Sequence, residues 1–275
     1  MSTLAKEIEV ANNTEVNATD LEQRVKDMYS DVAHNPEGEF HFEMGHTMAA
    51  RLGYPSKHLD NIPAAAINSF AGVGYYFHLA NLKAGEKVID LGSGAGMDSF
   101  YAAIDVGQDG EVIGVDMTDA QLEKSDALRQ EAGYQNIKYL KGYIQSAPCE
   151  DESFDAVISN GVINLAPNKN KVFNEAYRLL KHGGRIALSD IVTDVQLPTE
   201  ITCDATLWAA CIGGALQIDD YLAALQSAGF IIEKVEDNPE YHFISDNAQG
   251  ATKTFGVKSI SVLARKPDGV FTHIV

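Results

Sequence analysis

Residues 88–103 constrain this chain more than any other stretch. Val88-Ile89-Asp90-Leu91 is a short apolar run with β-branched residues, the pattern of a buried strand. Gly92, Gly94 and Gly96 follow at alternate positions, and Met97-Asp98-Ser99-Phe100-Tyr101-Ala102-Ala103 then reads as the first turns of a helix. Glycine lets a chain turn with φ > 0 and lets a ligand approach the backbone without meeting a Cβ. The N–H groups at the start of the helix are expected to face that ligand. A small-molecule site is therefore expected at the carboxyl end of this strand.

The rest of the chain repeats the theme. Glu111-Val112-Ile113-Gly114-Val115-Asp116 reads as a second strand ending in a carboxylate, and Thr118-x-x-Gln121 matches a capping box for a helix that stops at Gly133. Strands are predicted at 137–140, 154–159, 185–192, 230–235 and 257–265. The helix carrying Val172, Phe173, Ala176, Leu179 and Leu180 is predicted to end at Gly183-Gly184. Seven strands alternating with helices predict an α/β fold, a doubly wound, mostly parallel seven-stranded sheet of Rossmann-like form.

Residues 1–20 are polar and aperiodic and are read as a tail. Residues 21–82 are read as a helical and irregular N-terminal cap segment, with Leu21, Val25, Met28 and Tyr29 at helical spacing. Residues 83–267 form the ligand-binding domain, interrupted by an insert at 193–217. At 275 residues and 45% hydrophobic content the chain can bury one large core.

A formal charge of −18 sets the surface against polyanions, so neither nucleic acid nor an anionic membrane is an expected partner. No apolar run reaches the length of a membrane span, and no signal-peptide pattern opens the sequence. The three cysteines, Cys149, Cys203 and Cys211, have neither disulfide-framework nor zinc spacing. A cytoplasmic protein is expected.

The identity of the ligand turns on the glycines. A dinucleotide site uses G-x-G-x-x-G, whereas here the spacing is G-x-G-x-G with Asp90 two residues before the first glycine. A carboxylate there opposes a diphosphate and suits a ligand with an ammonium group, such as the methionine moiety of S-adenosylmethionine. Asp116 lies where a carboxylate accepts the two ribose hydroxyls.

Asp90-Leu91-Gly92-Ser93-Gly94-Ala95-Gly96 with Gly114-Val115-Asp116 resembles the motifs of class I S-adenosylmethionine-dependent methyltransferases. Ile158-Ser159-Asn160-Gly161-Val162-Ile163-Asn164-Leu165-Ala166-Pro167-Asn168-Lys169 is similar to the arsenite methyltransferase branch. So are Leu188-Ser189-Asp190-Ile191-Val192, the run Leu207 to Leu216, and Leu52-Gly53-Tyr54. The resemblance covers about residues 21–265. It implies a sheet order 3-2-1-4-5-7-6 with the last-formed strand antiparallel. It implies that Gly92, Ser93, Gly94 and Gly96 line the cofactor and that Asp116 and Met117 hold ribose and adenine. Ile144 would pack on the adenine, and Asn160 would sit near the methionine end.

The likeness fails where arsenic would sit. Arsenite methyltransferases hold trivalent arsenic with cysteine thiolates, soft ligands for a soft ion. This chain has Gly161 and Val73 at two of those positions, and only Cys211 matches. Cys203 is no replacement, since eight helical residues separate it from Cys211 by about 12 Å. The acceptor is therefore expected to be a small molecule other than arsenite. An arsenite methyltransferase with an altered thiol site, a nicotinamide-dependent dehydrogenase and a non-catalytic cofactor-binding protein are the alternatives.

Candidate catalytic groups are Cys211 as a substrate contact and His46 or His78 as a general base, needed only for an oxygen or nitrogen acceptor. His41, Glu43 and His46 cluster in sequence, but no metal site is expected. Tyr75 and Tyr76 are candidates for an aromatic wall beside a sulfonium.

Overall fold

The computed structural model describes residues 18–40, 42–198 and 212–269. Strands β1 (Lys87–Leu91), β2 (Glu111–Asp116), β3 (Ile137–Lys141), β4 (Phe154–Asn160), β5 (Leu180–Thr193), β6 (Leu216–Gln217), β7 (Ile231–Asp237) and β8 (Lys258–Arg265) form one sheet. Its order is β3-β2-β1-β4-β5-β8-β7, with β6 attached to β5. The first five strands run parallel, and β8 runs antiparallel to both β5 and β7. Leaving aside the two-residue β6, this is the expected 3-2-1-4-5-7-6 order. The sheet has eight strands rather than seven because Leu216 and Gln217 pair with Val192 and Thr193.

Alternation along each strand sends successive side chains to opposite faces. Val88, Val112, Ala156 and Ile158 enter one core cluster, with helices α2 (His46–Leu52), α3 (Ser56–Leu59), α4 (Ala64–Asn68), α5 (Phe77–Ala80) and α6 (Met97–Val106). Ile89, Leu91, Val115 and Val157 enter the other, with α8 (Lys169–Leu179) and α9 (Ile218–Ser227). Truncating Ile89, fully buried, to alanine should cost about 2–5 kcal/mol. Register then sets the site. Asp90 stands level with Gly114 and Ile158, while Asp116 and Asn160 are the last residues of β2 and β4. All three carboxyl-terminal strand ends open on the same side of the molecule.

Several local expectations are corrected. The irregular part of the N-terminal segment holds four helices of four to seven residues, α2–α5, that the sequence pattern does not mark. Each is too short to show a 3.6-residue period, and two begin directly after Pro55 and Pro63. Gly183-Gly184 does not stop α8, which ends at Leu179; the pair sits inside β5 at a bulge between the Phe154–Leu180 and Ala156–Arg185 pairings. Thr118 begins α7 (Asp119–Glu131) without a side-chain cap, so the capping box does not form. Finally α10 (Asp246–Phe255), whose central Gly250 masks its periodicity, is held by the Ser245 hydroxyl accepting from the Ala248 amide.

Candidate functional site

Two adjoining cavities open at the carboxyl ends of β1, β2 and β4. The larger, of about 200 Å³, is lined by Gly94, Asp116, Met117, Tyr143, Ile144 and Leu165 among others. The smaller, of about 60 Å³, is lined by Asp90, Ser93, Asp98, Gln121 and Asn160 together with Phe70–Gly72. Gly92, Gly94, Val162 and Tyr29 line both.

The glycine turn makes this junction possible. Gly92 and Gly96 have φ of 81° and 92°, left-handed backbone that glycine adopts without penalty. A Cβ on Gly96 would lie 2.1 Å from Tyr139 Oη, and one on Gly92 2.4 Å from Val162 Cγ1. Four amides of the turn are engaged within the protein. Gly92 and Ser93 donate to the Val115 carbonyl, Gly94 donates to Asp116 Oδ2 at 2.9 Å, and Gly96 donates to the Ser93 carbonyl. What the turn presents to the cavities is carboxylate, which suits a cation and not a diphosphate.

Asp116 Oδ1 accepts from the Thr118 amide at 2.9 Å, so backbone donors hold both of its oxygens at the rim of the larger cavity. A carboxylate fixed in this way can accept from ligand hydroxyls. Asp90 is only 2% exposed and accepts from Ser99 Oγ at 2.6 Å. Burial, and then the charge of Asp98, push its carboxyl up to about 8. Ser93 Oγ and Gln121 Oε1 are buried without a hydrogen-bond partner among the described residues. A cradle of glycine backbone, carboxylates and unpaired polar atoms fits a zwitterionic amino-acid head joined to a nucleoside.

The other expected residues divide. Met117 and Ile144 line the larger cavity. Asn160 lines the smaller one, but its amide is already engaged. Its Oδ1 accepts from the Val73 amide at 2.8 Å, and its Nδ2 donates to the Gly74 carbonyl and to Asp98 Oδ2 at 3.0 Å each. Asn160 therefore holds the 73–74 loop in place.

The two histidines stand away from both cavities. His46 is exposed at the start of α2, and His78, half exposed, lies 2.7 Å from Glu236 Oε2; neither lines either cavity. Glu43 pairs with Arg51. Tyr75 and Tyr76 are in the aromatic packing around Tyr54 and Phe77, and they line neither cavity. His41, Cys203, Trp208 and Cys211 lie outside the described residues.

Residues not singled out from sequence complete the site. Asp98, 5% exposed, accepts from Tyr54 Oη at 2.6 Å, Tyr76 Oη at 2.8 Å and Asn160 Nδ2. Gln121 donates to the Tyr29 carbonyl at 2.8 Å, tying α7 to α1 (Ala18–His34). Glu22, Val25 and Tyr29 present one face of α1 to the larger cavity. Spacing offers a signal for two of these: Asp98 falls in the first turn after the glycines, and Tyr29 continues the Val25 stripe.

A family model described as a methyltransferase domain matches residues 82–229, just over half of the chain, with the glycine turn and Asp90, Asp98 and Asp116 inside the match. The chain belongs to the methyltransferase family. S-adenosylmethionine is the cofactor of this family of methyltransferases, in agreement with the cradle. The methyltransferase is 40% identical over 220 residues to the arsenite methyltransferase of Halobacterium salinarum, covering 79% of this chain and 56% of that protein. To the Homo sapiens arsenite methyltransferase it is 42% identical over 183 residues, 62% of this chain and 48% of that one. Among solved structures, an arsenic(III) S-adenosylmethionine methyltransferase from Chlamydomonas reinhardtii superposes with a TM-score of 0.60 at 30% identity. The match covers 82% of this chain and 75% of that one. The methyltransferase spans about half the length of the curated relatives it matches.

Proposed function

We propose that this protein transfers a methyl group from S-adenosylmethionine to a small-molecule acceptor other than arsenite. The observation that carries the acceptor half of this reading is the closeness of Val73 to Gly161. A Cβ built on Gly161 would lie 3.1 Å from Val73 Cγ1, nearer than ordinary van der Waals contact, so the two positions to which the resemblance assigns thiolates in the arsenite branch are neighbours. In this chain that point holds a valine and a residue without a side chain. Val73 belongs to an apolar cluster with Ile191, Leu197, Ile212, Ala215 and Val257. A buried apolar cluster of this kind offers no soft donor and does not hold a soft metalloid ion.

When bound, S-adenosylmethionine supplies a methyl group on a positively charged sulfur, open to in-line displacement by a nucleophile. The chain's part is placement. Asp116 would accept from the ribose hydroxyls, Met117 and Ile144 would flank the adenine, and Asp90 would face the ammonium group. Gly92, Ser93, Gly94 and Gly96 would line the donor between these ends. Asn160 would fix the loop 73–74 against which the acceptor rests, and the apolar cluster would keep that side dry.

A second reading has its own support: the relatives named above act on arsenite by name, and Cys211 is retained in sequence. Labelled S-adenosylmethionine, arsenite and a reducing thiol, incubated with the pure protein, separate the two. No methylated arsenical should form, while fractions of small metabolites should contain a labelled product. Robust methylarsenical formation would establish the second reading instead, and calorimetry showing no binding of S-adenosylmethionine would sink both.

A further inference from the structure

The smaller cavity has two buried carboxylates and no cation. Asp90 and Asp98 both line it, and no lysine, arginine or histidine does so among the described residues. The cationic group touching its wall, Lys124 Nζ, is held by Ser69 Oγ and the Ala33 carbonyl at 2.8 Å each. Two more polar atoms, Ser93 Oγ and Gln121 Oε1, belong to residues that are 7% and 1% exposed, line the same cavity and have no partner. An unpaired buried acceptor costs free energy comparable to a lost hydrogen bond, and a buried pair of like charges costs more. The site is therefore built for a ligand that brings positive charge and N–H donors.

Asp98 is held unlike Asp90. Tyr54, Tyr76 and Asn160 give it three neutral hydrogen bonds, and it stands in the first turn of the ten-residue α6, where the helix dipole favours a negative group. Those donors steady the charge without neutralising it. They also converge from two loops and the end of β4, far apart in the chain, which is more than a merely structural helix start requires.

We propose that Asp98 is a second donor-recognition residue: with Asp90 it reads the ammonium group of the amino-acid end of S-adenosylmethionine, and Gln121 Oε1 accepts from the same group. This rests on the donor assignment above and adds a selectivity to it. A nucleoside carrying sulfur but no amino acid would leave the acid pair unpaired, so intact donor or its demethylated product is selected over such fragments. Through Asn160 and Tyr54, both of which also reach Gly74, the same carboxylate is tied to the loop on the acceptor side.

The test is calorimetric titration of the full chain with S-adenosylhomocysteine, its desamino analogue and methylthioadenosine, in the wild type and in Asp98→Asn. Removing one member of a buried charge pair should weaken S-adenosylhomocysteine by about 30-fold or more. Methylthioadenosine should bind the variant within about twofold of the wild type, which also reports that the variant is folded. In the wild type, loss of the amino group alone should cost as much as the substitution does, and the two losses together should not add. Equal weakening of all three ligands by Asp98→Asn would make Asp98 structural and overturn the inference, as would unchanged S-adenosylhomocysteine binding. If the variant does not fold, a wild type that binds the desamino analogue as well as S-adenosylhomocysteine overturns it on its own. If the wild type binds none of the three, the donor assignment itself falls, and the inference with it.

Discussion

The two sides of this cleft have been treated differently. On the donor side the turn and the strand ends add polar groups and bare backbone to an otherwise apolar lining that includes Met117, Ile144 and Val162: Gly92 and Gly94 at the turn, Asp90 and Asp116 on the strands, and Ser93 and Gln121 with atoms left unpaired among the described residues. On the acceptor side Val73 and Gly161 are neighbours, and Val73 continues into a buried apolar cluster. One ligand demands the same hydrogen bonds in every member of a family. The other leaves each chain free to change its wall. Similarity to arsenite methyltransferases thus speaks to the first side more strongly than to the second.

The largest effect should follow from crowding the donor side. Gly96→Ala places a Cβ against Tyr139 Oη at a left-handed backbone position. Strain and overpacking together should cost about 2–5 kcal/mol of stability, read by urea denaturation, with donor binding lost in calorimetry. Full binding by a stable Gly96→Ala would show that the turn does not shape the site.

Asp116→Ala comes next. It removes the acceptor for the amides of Gly94 and Thr118 as well as the place for two ligand hydroxyls. Affinity for S-adenosylhomocysteine should fall by about 30- to 1000-fold, equivalent to about 2–4 kcal/mol. Adenine and 2′,3′-dideoxyadenosine should show no such loss.

Crossing the two sides gives the sharpest contrast. Gly161→Cys alone puts a side chain at φ 71° and 3.1 Å from Val73, and should destabilise by about 1–3 kcal/mol. Adding Val73→Cys replaces the branched side chain, whose Cγ1 collides, by a single sulfur that can turn away, so the double variant should regain part of that loss while donor affinity stays within about twofold. Arsenite should then raise the melting temperature of the double variant and not of the wild type. A wild type stabilised as much as the double variant would erase the contrast.

A pH series tests the acid wall. The Asp90 carboxyl is raised from the ordinary aspartate range to about 8 in the folded chain, chiefly by burial. Between about pH 4 and 8 the folded form therefore binds more protons at this group than the unfolded form. Its contribution to stability declines as pH rises through that window. Wild type should lose stability relative to Asp90→Asn from about pH 4 to 8, and donor binding at pH 7 should release a proton, visible by calorimetry in buffers of different ionisation enthalpy. A constant difference between the two proteins would remove Asp90 from the wall.

The smallest effects belong to the histidines. His46→Ala and His78→Ala should each leave methyl transfer within about twofold, since His78 joins Glu236 in an exposed pair worth about 0–1 kcal/mol. A tenfold loss of turnover with unchanged donor affinity would restore a base role.

What the sequence reveals is what is encoded locally. The β1 strand, the glycine spacing and Asp116 lie within 30 residues of one another, and their periodicity alone predicts a sheet with a ligand at its carboxyl edge. Asp98 was in plain view but had no meaning until Tyr54, 44 residues before it, and Asn160, 62 residues after it, were brought to its oxygens. Gln121 illustrates the opposite error. Its spacing from Thr118 satisfies a local rule, yet the carbonyl of Tyr29 takes its amide, a long-range contact that outweighs the cap. The short helices between residues 46 and 80 are held by packing among Tyr54, Phe70, Phe77 and Tyr101, and no periodicity could announce them.

Helix α1 has a kinetic meaning as well as a structural one. Its side chains wall the larger cavity, and Lys26 and Glu22 join it to Tyr143 in the loop after β3 by bonds of 3.1 and 2.8 Å at the protein surface. A ligand that leaves by displacing α1 must break those bonds. Salt weakens such half-exposed contacts, so ionic strength should shorten the residence time of spent cofactor far more than it alters the cofactor's own hydrogen bonds.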